Sequence, residues 1–248
     1  MRLDVFFTPS HVKSVDTVGR LVAIVDVLRA STSVATALGN GARTVIPVEG
    51  ADEVIMRARE FERSEIRLAG EQKMLPITGF DLGNSPQDFT REAVEGKTIL
   101  ITTTNGTRAL LGVQGARDIV IASYVNFTAV LTLMKVAASS NTDIAIICAG
   151  EEGSFTLEDA ACAGRYVRAI PKRSDSVSVN DAAAASVLIE KKYGDNIAKV
   201  FKESSHGQAL QEAGFGADLA AAAEVDAYPV VPIYQDRQIT KLGPERSR

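Results

Sequence analysis

Short runs of apolar residues alternate with longer segments of helical periodicity along most of the chain. The apolar runs are Arg20–Val27, Thr44–Glu49, Ile66–Glu71, Lys97–Thr104, Asp118–Tyr124 and Asp143–Gly150. Because Val and Ile follow one another in them without strict polar alternation, these runs predict strands that are covered on both faces. The intervening segments predict helices. The pattern therefore predicts an α/β protein, a three-layer α/β/α fold with a largely parallel or mixed sheet.

The last part of the chain departs from this rhythm. Residues 181–224 are rich in Ala and predict helices, and residues 228–242 predict one or two late strands. Because Pro229 and Pro232 disfavour a central position, we expect these strands to be antiparallel and at an edge of the sheet. No low-complexity linker interrupts residues 1–248, so we expect a single catalytic domain, with two α/β subdomains flanking the site as a variant.

A long segment without apolar periodicity connects two of the predicted strands. Residues 71–89 contain Phe80, Leu82 and Phe89 among turn-forming residues, which predicts an ordered loop. Connections longer than about 12 to 15 residues in compact domains are often functional.

Composition excludes several classes of protein. The formal net charge is −4 and the Lys and Arg residues are scattered, so the sequence predicts no nucleic-acid partner. We find no signal-peptide pattern and no apolar run of the roughly 18 to 20 residues needed for a membrane span, so we expect a cytoplasmic protein without a membrane partner. Cys148 and Cys162 do not form a CxxC pair, and we expect both to be reduced and buried. A homodimer is a weaker expectation, because two-fold oligomers are common.

Two polar clusters follow predicted strands and have the chemistry of an anion site. "RASTS" (Arg29–Ser33) and "TNGTR" (Thr104–Arg108) combine hydroxyl donors, a helix start and an arginine whose planar fork matches phosphate oxygens. The candidate substrate-binding residues are Ser31, Thr32, Asn84, Thr104, Asn105, Gly106, Thr107 and Arg108. The alternative is structural: Ser31 and Asn105 cap helices, and the arginines pair with nearby carboxylates.

Carboxylates near the same predicted edge are candidates for a Mg²⁺ site, since this ion prefers oxygen ligands and usually shares a substrate phosphate. The candidate metal ligands are Asp26, Asp81, Glu158 and Asp159. The alternative is that Glu158 and Asp159 only favour the first turn of a helix, and that Asp81 is a turn residue.

The candidate catalytic residues are Asp26, Arg29, Asp81 and His206. Asp26 lies at a strand end beside Arg29, which suits attack on phosphorus or activation of water. His206 could act as a general acid near neutral pH, or be a helix-end histidine without a catalytic function.

Five segments together resemble the 2-phosphosulfolactate phosphatase family: "VDVLRASTS", "GFDLGNSP", "TTTNGTRAL", "CAGEEGSFTLEDAACAG" and "SSHGQAL". They span most of the chain, and "GFDLGNSP" with "TTNGTRAL" is a specific combination. The resemblance implies a Mg²⁺-dependent hydrolase that converts 2-phospho-3-sulfolactate to 3-sulfolactate and phosphate, a step towards coenzyme M in methanogens. It also implies an α/β/α fold distinct from the haloacid-dehalogenase phosphatases, and the chain has no DxDx[TV] motif.

Other functions are compatible with the same anion loops. A lyase or isomerase acting on a phosphorylated acid would release no inorganic phosphate. A non-catalytic binder of an anionic metabolite would retain its ligand without turnover.

Overall fold

The computed structural model describes residues 1–171 and 177–243. Within them one sheet of eleven strands is formed. The strands are β1 (Arg2–Phe6), β2 (Leu21–Val25), β3 (Thr44–Pro47), β4 (Ile66–Gln72), β5 (Leu75–Pro76), β6 (Thr98–Thr102), β7 (Asp118–Ala122), β8 (Ile144–Cys148), β9 (Ser178–Val179), β10 (Pro232–Gln235) and β11 (Gln238–Lys241).

Helices lie on both sides of this sheet. They are α1 (Ala30–Gly39), α2 (Ala51–Ala58), α3 (Arg91–Val94), α4 (Gly106–Leu111), α5 (Phe127–Ser139), α6 (Leu157–Ala169), α7 (Asp181–Tyr193), α8 (Ile197–Glu203), α9 (Ser205–Glu212) and α10 (Gly216–Ala222). The three-layer α/β/α architecture with a mixed sheet is therefore confirmed. In the described ranges no helix is both long and apolar enough to cross a membrane.

The sheet consists of two parallel blocks joined by an antiparallel hairpin. The strand order is β5-β4-β6-β3-β11-β10-β7-β2-β8-β1-β9. Strands β4, β6 and β3 are parallel to one another, and so are β7, β2, β8, β1 and β9. The pairings β3–β11, β11–β10 and β10–β7 are all antiparallel, so the two blocks run in opposite directions along the sheet order.

The hairpin of β10 and β11 lies in the middle of the sheet, so the expectation of edge strands is wrong. Pro232 is the first residue of β10, and the pairing with β7 begins one residue later, at Ile233. The missing N–H of Pro232 therefore removes no hydrogen bond from that ladder. On the other side, β11 pairs with β3 at a single residue pair, Ile239 with Val45, so the blocks meet at a narrow junction.

Central strand β2 shows why continuous apolar runs predicted two covered faces. All five of its residues are buried. Leu21, Ala23 and Val25 pack in the core under α5 and α6, whereas Val22 and Ile24 pack in the opposite core under α1. Each face thus has its own hydrophobic core, which places the polar strand ends at the rim of the sheet.

The segment 71–89 has defined local structure, as the presence of Phe80, Leu82 and Phe89 predicted. It contains the β4–β5 hairpin, a bridge between Ala69 and Leu82, and a 3-10 turn at Pro86–Asp88. Phe89 is 1% exposed and anchors the segment in the core. Cys148 and Cys162 are both free and buried, in agreement with expectation.

Candidate active site

Loops from both blocks converge on a cavity of about 270 Å³, which we call the Asp26 cavity. Its charged lining residues are Asp26, Arg29, Glu71, Lys73, Glu151, Glu152 and His206. Asn84, Thr103, Thr104 and Asn105 add polar groups. Residues that follow β2 and β8 thus face residues that follow β4 and β6, although the two blocks run in opposite directions.

Asp26 follows β2 directly and is 6% exposed. Its Oδ1 accepts the N–H of Ala30, the first residue of α1, at 3.1 Å, and its own N–H donates to Ser31 Oγ at 2.9 Å. A Cβ atom at Gly106 would lie 2.7 Å from Asp26 Oδ2, so glycine there allows the β6–α4 loop to approach the carboxylate. Burial raises the pKa of Asp26 to about 6, and the charges of Glu71 and Glu158 act in the same direction, although His206 opposes them.

His206 is the second residue of α9 and forms a buried pair with Glu158. Nδ1 of His206 lies 3.1 Å from Glu158 Oε1, and Nε2 lies 3.9 Å from Glu151 Oε1. Burial alone would lower the pKa of His206. The hydrogen bond to Glu158 and the charges of Glu158, Glu151 and Asp26 outweigh burial and raise this pKa to about 9. The imidazole is therefore protonated at neutral pH.

Arg29 is held in the cavity wall by a buried network. Nη1 donates to Asp218 Oδ2 at 2.9 Å and Nη2 donates to the carbonyl of Met74 at 2.7 Å. Ser85 Oγ donates to the other oxygen of Asp218, and the guanidinium lies 4.3 Å from the centroid of the Phe215 ring. This network fixes the plane of the guanidinium, which suits orientation of an oxyanion.

Two buried side-chain oxygens near the cavity have no hydrogen-bond donor among the described residues. They are Asn84 Oδ1, in the cavity wall, and Glu158 Oε2, in the residue that holds His206. An unsatisfied buried acceptor costs free energy unless a ligand, an ion or water pairs with it. Asn84 is 5% exposed and is therefore positioned to accept a donor or to ligate a cation.

The loop after β6 divides its candidates between two cavities. Asn105 Oδ1 accepts the N–H of Glu152 at 3.0 Å, so Asn105 ties this loop to the loop after β8 instead of capping α4. Thr107 exchanges hydrogen bonds with Thr103, so its hydroxyl stabilises the turn. Arg108 is exposed and lines a neighbouring cavity of about 510 Å³, which we call the Arg108 cavity.

The two cavities share one wall. Glu71, Thr103 and Thr104 line both of them. Glu71 accepts the N–H groups of Thr104 and Met74 through its two oxygens. Arg29 and Arg108 thus line different cavities, so the two arginine-containing clusters do not form one anion site.

Several predicted site residues use their side-chain oxygens in hydrogen bonds within the protein. Both oxygens of Asp159 accept backbone N–H groups, from Val27 at 2.8 Å and from Gly150 at 3.1 Å. Thr32 Oγ1 donates to the carbonyl of Val27, and Ser31 Oγ accepts from Asp26. These three side chains shape the site without facing the Asp26 cavity.

Asp81 lies outside the Asp26 cavity. Its carboxylate forms an ion pair with Arg63 and accepts the N–H of Leu68 at 2.8 Å. The structure therefore brings together Asp26, Arg29, Asn84, Thr104, Asn105 and His206, with Glu158 behind His206, and does not add Asp81 to them.

Sequence reasoning missed two residues of the cavity network. Lys73 lies in a segment with no periodicity, and Asp218 lies in an Ala-rich helix, 189 positions from its partner Arg29. The sequence did contain a weak hint for Lys73, since it is the only Lys in the long connection 71–89.

A buried imidazolium and a buried carboxylate in one cavity, beside a fixed arginine at the strand ends, are typical of an α/β enzyme that acts on an anionic substrate. Comparison with known proteins gives the family. The model of the family described as 2-phosphosulpholactate phosphatase matches residues 6–237. The chain belongs to the 2-phosphosulfolactate phosphatase family, whose members are phosphoric monoester hydrolases, and it is an enzyme of that class.

Curated relatives are similar along nearly the whole chain. A protein of Caldanaerobacter subterraneus is 37% identical over 232 residues, covering 94% of this chain and 95% of the relative. One from Symbiobacterium thermophilum is 37% identical, covering 90% of this chain and 95% of the relative. One from Clostridium acetobutylicum is 33% identical, covering 96% of this chain and all of the relative. Each is named as a probable 2-phosphosulfolactate phosphatase.

Proposed function

We propose that the chain hydrolyses the phosphate ester of 2-phospho-3-sulfolactate, or of a similar phosphorylated hydroxy acid, to the free hydroxy acid and inorganic phosphate. The observation that carries the proposal is the buried His206–Glu158 pair in a cavity that also holds a fixed arginine. The names of the relatives support the choice of substrate.

His206 would protonate the leaving oxygen. The leaving group is an alkoxide, which is a poor leaving group unless it receives a proton as the P–O bond breaks. With its pKa raised to about 9, His206 carries that proton at neutral pH. General acid catalysis of this kind contributes about 10² to 10⁴ in rate. Glu158 keeps the imidazolium protonated and oriented, and Arg29 would orient the phosphate oxygens.

A divalent cation fits the donor chemistry of the cavity. Four carboxylates (Asp26, Glu71, Glu151 and Glu152) and three basic groups (Arg29, Lys73 and His206) line it. Two of the basic groups are neutralised from behind, by Asp218 and Glu158, so a phosphate dianion meets a net negative wall. A cation bound with the substrate would offset this repulsion.

We propose Mg²⁺ as that cation, held by the carboxylate of Asp26 and the amide oxygen of Asn84. No group of three His, Cys, Asp or Glu side chains in residues 1–171 and 177–243 has the arrangement of a metal site. Mg²⁺ needs only one or two protein carboxylates when substrate phosphate completes its shell. When bound, it would supply neutralisation of charge on the phosphate.

The test is release of inorganic phosphate from 2-phospho-3-sulfolactate. We expect turnover with Mg²⁺ and its loss after exhaustive chelation. His206→Asn should lower kcat by about 10² to 10⁴. The matched control is His11→Asn, because His11 is the only other histidine and lies exposed outside the cavity.

Three outcomes would contradict the proposal. Consumption of the ester without phosphate release would indicate a lyase or isomerase, and tight retention without turnover would indicate a binding protein. Phosphate release that survives chelation would exclude the Mg²⁺ part. The cytoplasmic location, the homodimer and the lack of a nucleic-acid partner stay predictions.

A further inference from the structure

The basic groups of the Asp26 cavity differ in what already neutralises them. The guanidinium of Arg29 is paired with Asp218, and the imidazole of His206 is paired with Glu158. Lys73 lines the same cavity and forms no ion pair with any residue in the described ranges. An incoming anion therefore finds its one uncompensated positive charge at Lys73.

The backbone that carries Lys73 is fixed over the cavity. Lys73 and Met74 form the two-residue turn between β4 and β5, with φ angles of 51° and 70°. Turns of this kind favour Asn-Gly, because both positions require positive φ. The carbonyl of Met74 accepts from Arg29 at 2.7 Å and its N–H donates to Glu71 at 2.9 Å. These two hydrogen bonds hold the backbone of the turn, while the Lys73 side chain is exposed at the rim of the cavity.

The cavity has a buried end, at His206 and Asp26, and an exposed rim, at the Lys73 turn. His206 is 8% exposed and Asp26 is 6% exposed, so the reacting phosphate is placed at the buried end. A substrate whose phosphate lies there extends its remaining groups towards the exposed turn. Carboxylate and sulfonate groups in that position need a cation that is not already paired.

We propose that the ammonium group of Lys73 binds a second anionic group of the substrate, a carboxylate or a sulfonate, and so selects polyanionic phosphate esters. This inference rests on the proposed function, since it assigns a specificity subsite to the same cavity. Charge-assisted contacts of an exposed lysine are screened by water, so the expected contribution is about tenfold in affinity.

Three esters separate the groups that Lys73 could recognise. Isopropyl phosphate has no second anion, 2-phospholactate has a carboxylate, and 2-phospho-3-sulfolactate has a carboxylate and a sulfonate. We expect Lys73→Ala to lower kcat/KM about tenfold for esters with the recognised anion, chiefly through KM, and by less than about twofold for isopropyl phosphate. A loss with 2-phospholactate identifies the carboxylate, and a loss confined to 2-phospho-3-sulfolactate identifies the sulfonate.

Two further variants make the comparison specific. Lys73→Arg should keep most of the selectivity, because it keeps the charge. Lys135→Ala makes the same change in net charge at an exposed position of α5, outside both cavities, and should leave all three kcat/KM values unchanged. An equal fall for the three esters in Lys73→Ala, or no fall, would overturn the inference.

A binding measurement keeps this inference separable from the proposed hydrolysis. Calorimetric titration with 3-sulfolactate, which has no phosphate, requires no turnover. Affinity about tenfold weaker in Lys73→Ala than in the wild type would support the subsite even if no ester is hydrolysed. Equal affinities, or no binding to the wild type, would overturn it, whereas absent hydrolysis alone would refute only the proposed function.

Discussion

Replacing Glu158 by Gln should release the proton that His206 holds at neutral pH. The substitution keeps the shape of a side chain that is 1% exposed but removes the charge next to Nδ1 of His206. It also turns a strong acceptor into a neutral amide. If Glu158 is what keeps the imidazole protonated, the pKa of His206 must fall in this variant.

The size of the effect follows from the pKa. The pKa of His206 is raised from 6.5 to about 9. At about 1.36 kcal/mol per pKa unit, protonation stabilises the folded state by about 3 kcal/mol. Glu158 contributes both the hydrogen bond and the larger charge effect, and burial opposes them. We therefore expect Glu158→Gln to lower the pKa of His206 by about two units.

NMR titration of the imidazole Cε1–H signals measures this directly. The chain has only two histidines, so the signal that disappears in His206→Asn is that of His206. The signal of exposed His11 serves as an internal reference. Glu190→Gln is a matched control, because Glu190 is a buried glutamate paired with Arg168, away from His206. This control should leave the His206 signal unchanged.

Urea unfolding gives an independent measure with a defined sign. Because the folded-state pKa of His206 is raised, its stabilisation is complete below about pH 6.5 and is lost as the pH rises through about 9. The free energy of unfolding of the wild type should therefore lose about 3 kcal/mol more than that of Glu158→Gln across this range. If the pKa of His206 in Glu158→Gln lies within about half a unit of the wild-type pKa, the reasoning is refuted.

Other substitutions test the rest of the site. In metal-free buffer near neutral pH, Asp26→Asn should raise the free energy of unfolding by up to about 3 kcal/mol in urea titrations, because burial raises the pKa of Asp26 from 3.8 to about 6. The same variant should abolish Mg²⁺-dependent phosphate release. A variant less stable than the wild type would contradict the first expectation. Asp218→Asn leaves the Arg29 charge buried and unpaired, so urea unfolding should show a loss of about 3 to 5 kcal/mol, and unchanged stability would argue against the pair. Gly106→Ala places a Cβ 2.7 Å from Asp26 Oδ2 and should lower phosphate release, whereas Gly50→Ala meets nothing within 4 Å; equal rates would argue against this close approach.

The apolar runs predicted the interior of the sheet because a strand that is buried on both faces consists of consecutive apolar residues. Strand β1 was missed because it contains charge: Asp4 is 5% exposed and pairs with Arg20 at 2.7 Å. A buried ion pair between distant residues breaks the apolar pattern. The central hairpin was misplaced because the rule on prolines concerns ladder N–H groups, and Pro232 stands just outside the ladder with β7.

The sequence predicted which loops form the candidate site, but not the hydrogen-bond partners of their side chains. Strand-end motifs indicated Asp26 and Asn105, since polar residues at such ends commonly serve as a helix cap or as a ligand. Which of these functions a side chain serves depends on partners far away in the chain. Thr107 pairs within its own turn, whereas Asn105 reaches Glu152, 47 positions away. No local pattern distinguishes these two cases.

Contacts between the two blocks of the sheet determine the shape of the Asp26 cavity. Arg29 donates to the carbonyl of Met74, and Asn105 accepts from Glu152, each bond joining one block to the other. The sheet itself connects the blocks only through the β10–β11 hairpin, which meets β3 at one residue pair. These polar contacts add to a shared hydrophobic core, in which Ile24 of one block packs with Val45 and Ile99 of the other, and join the strand ends around the cavity. A site assembled in this way places the buried imidazole of His206 and the Lys73 turn in the lining of one cavity.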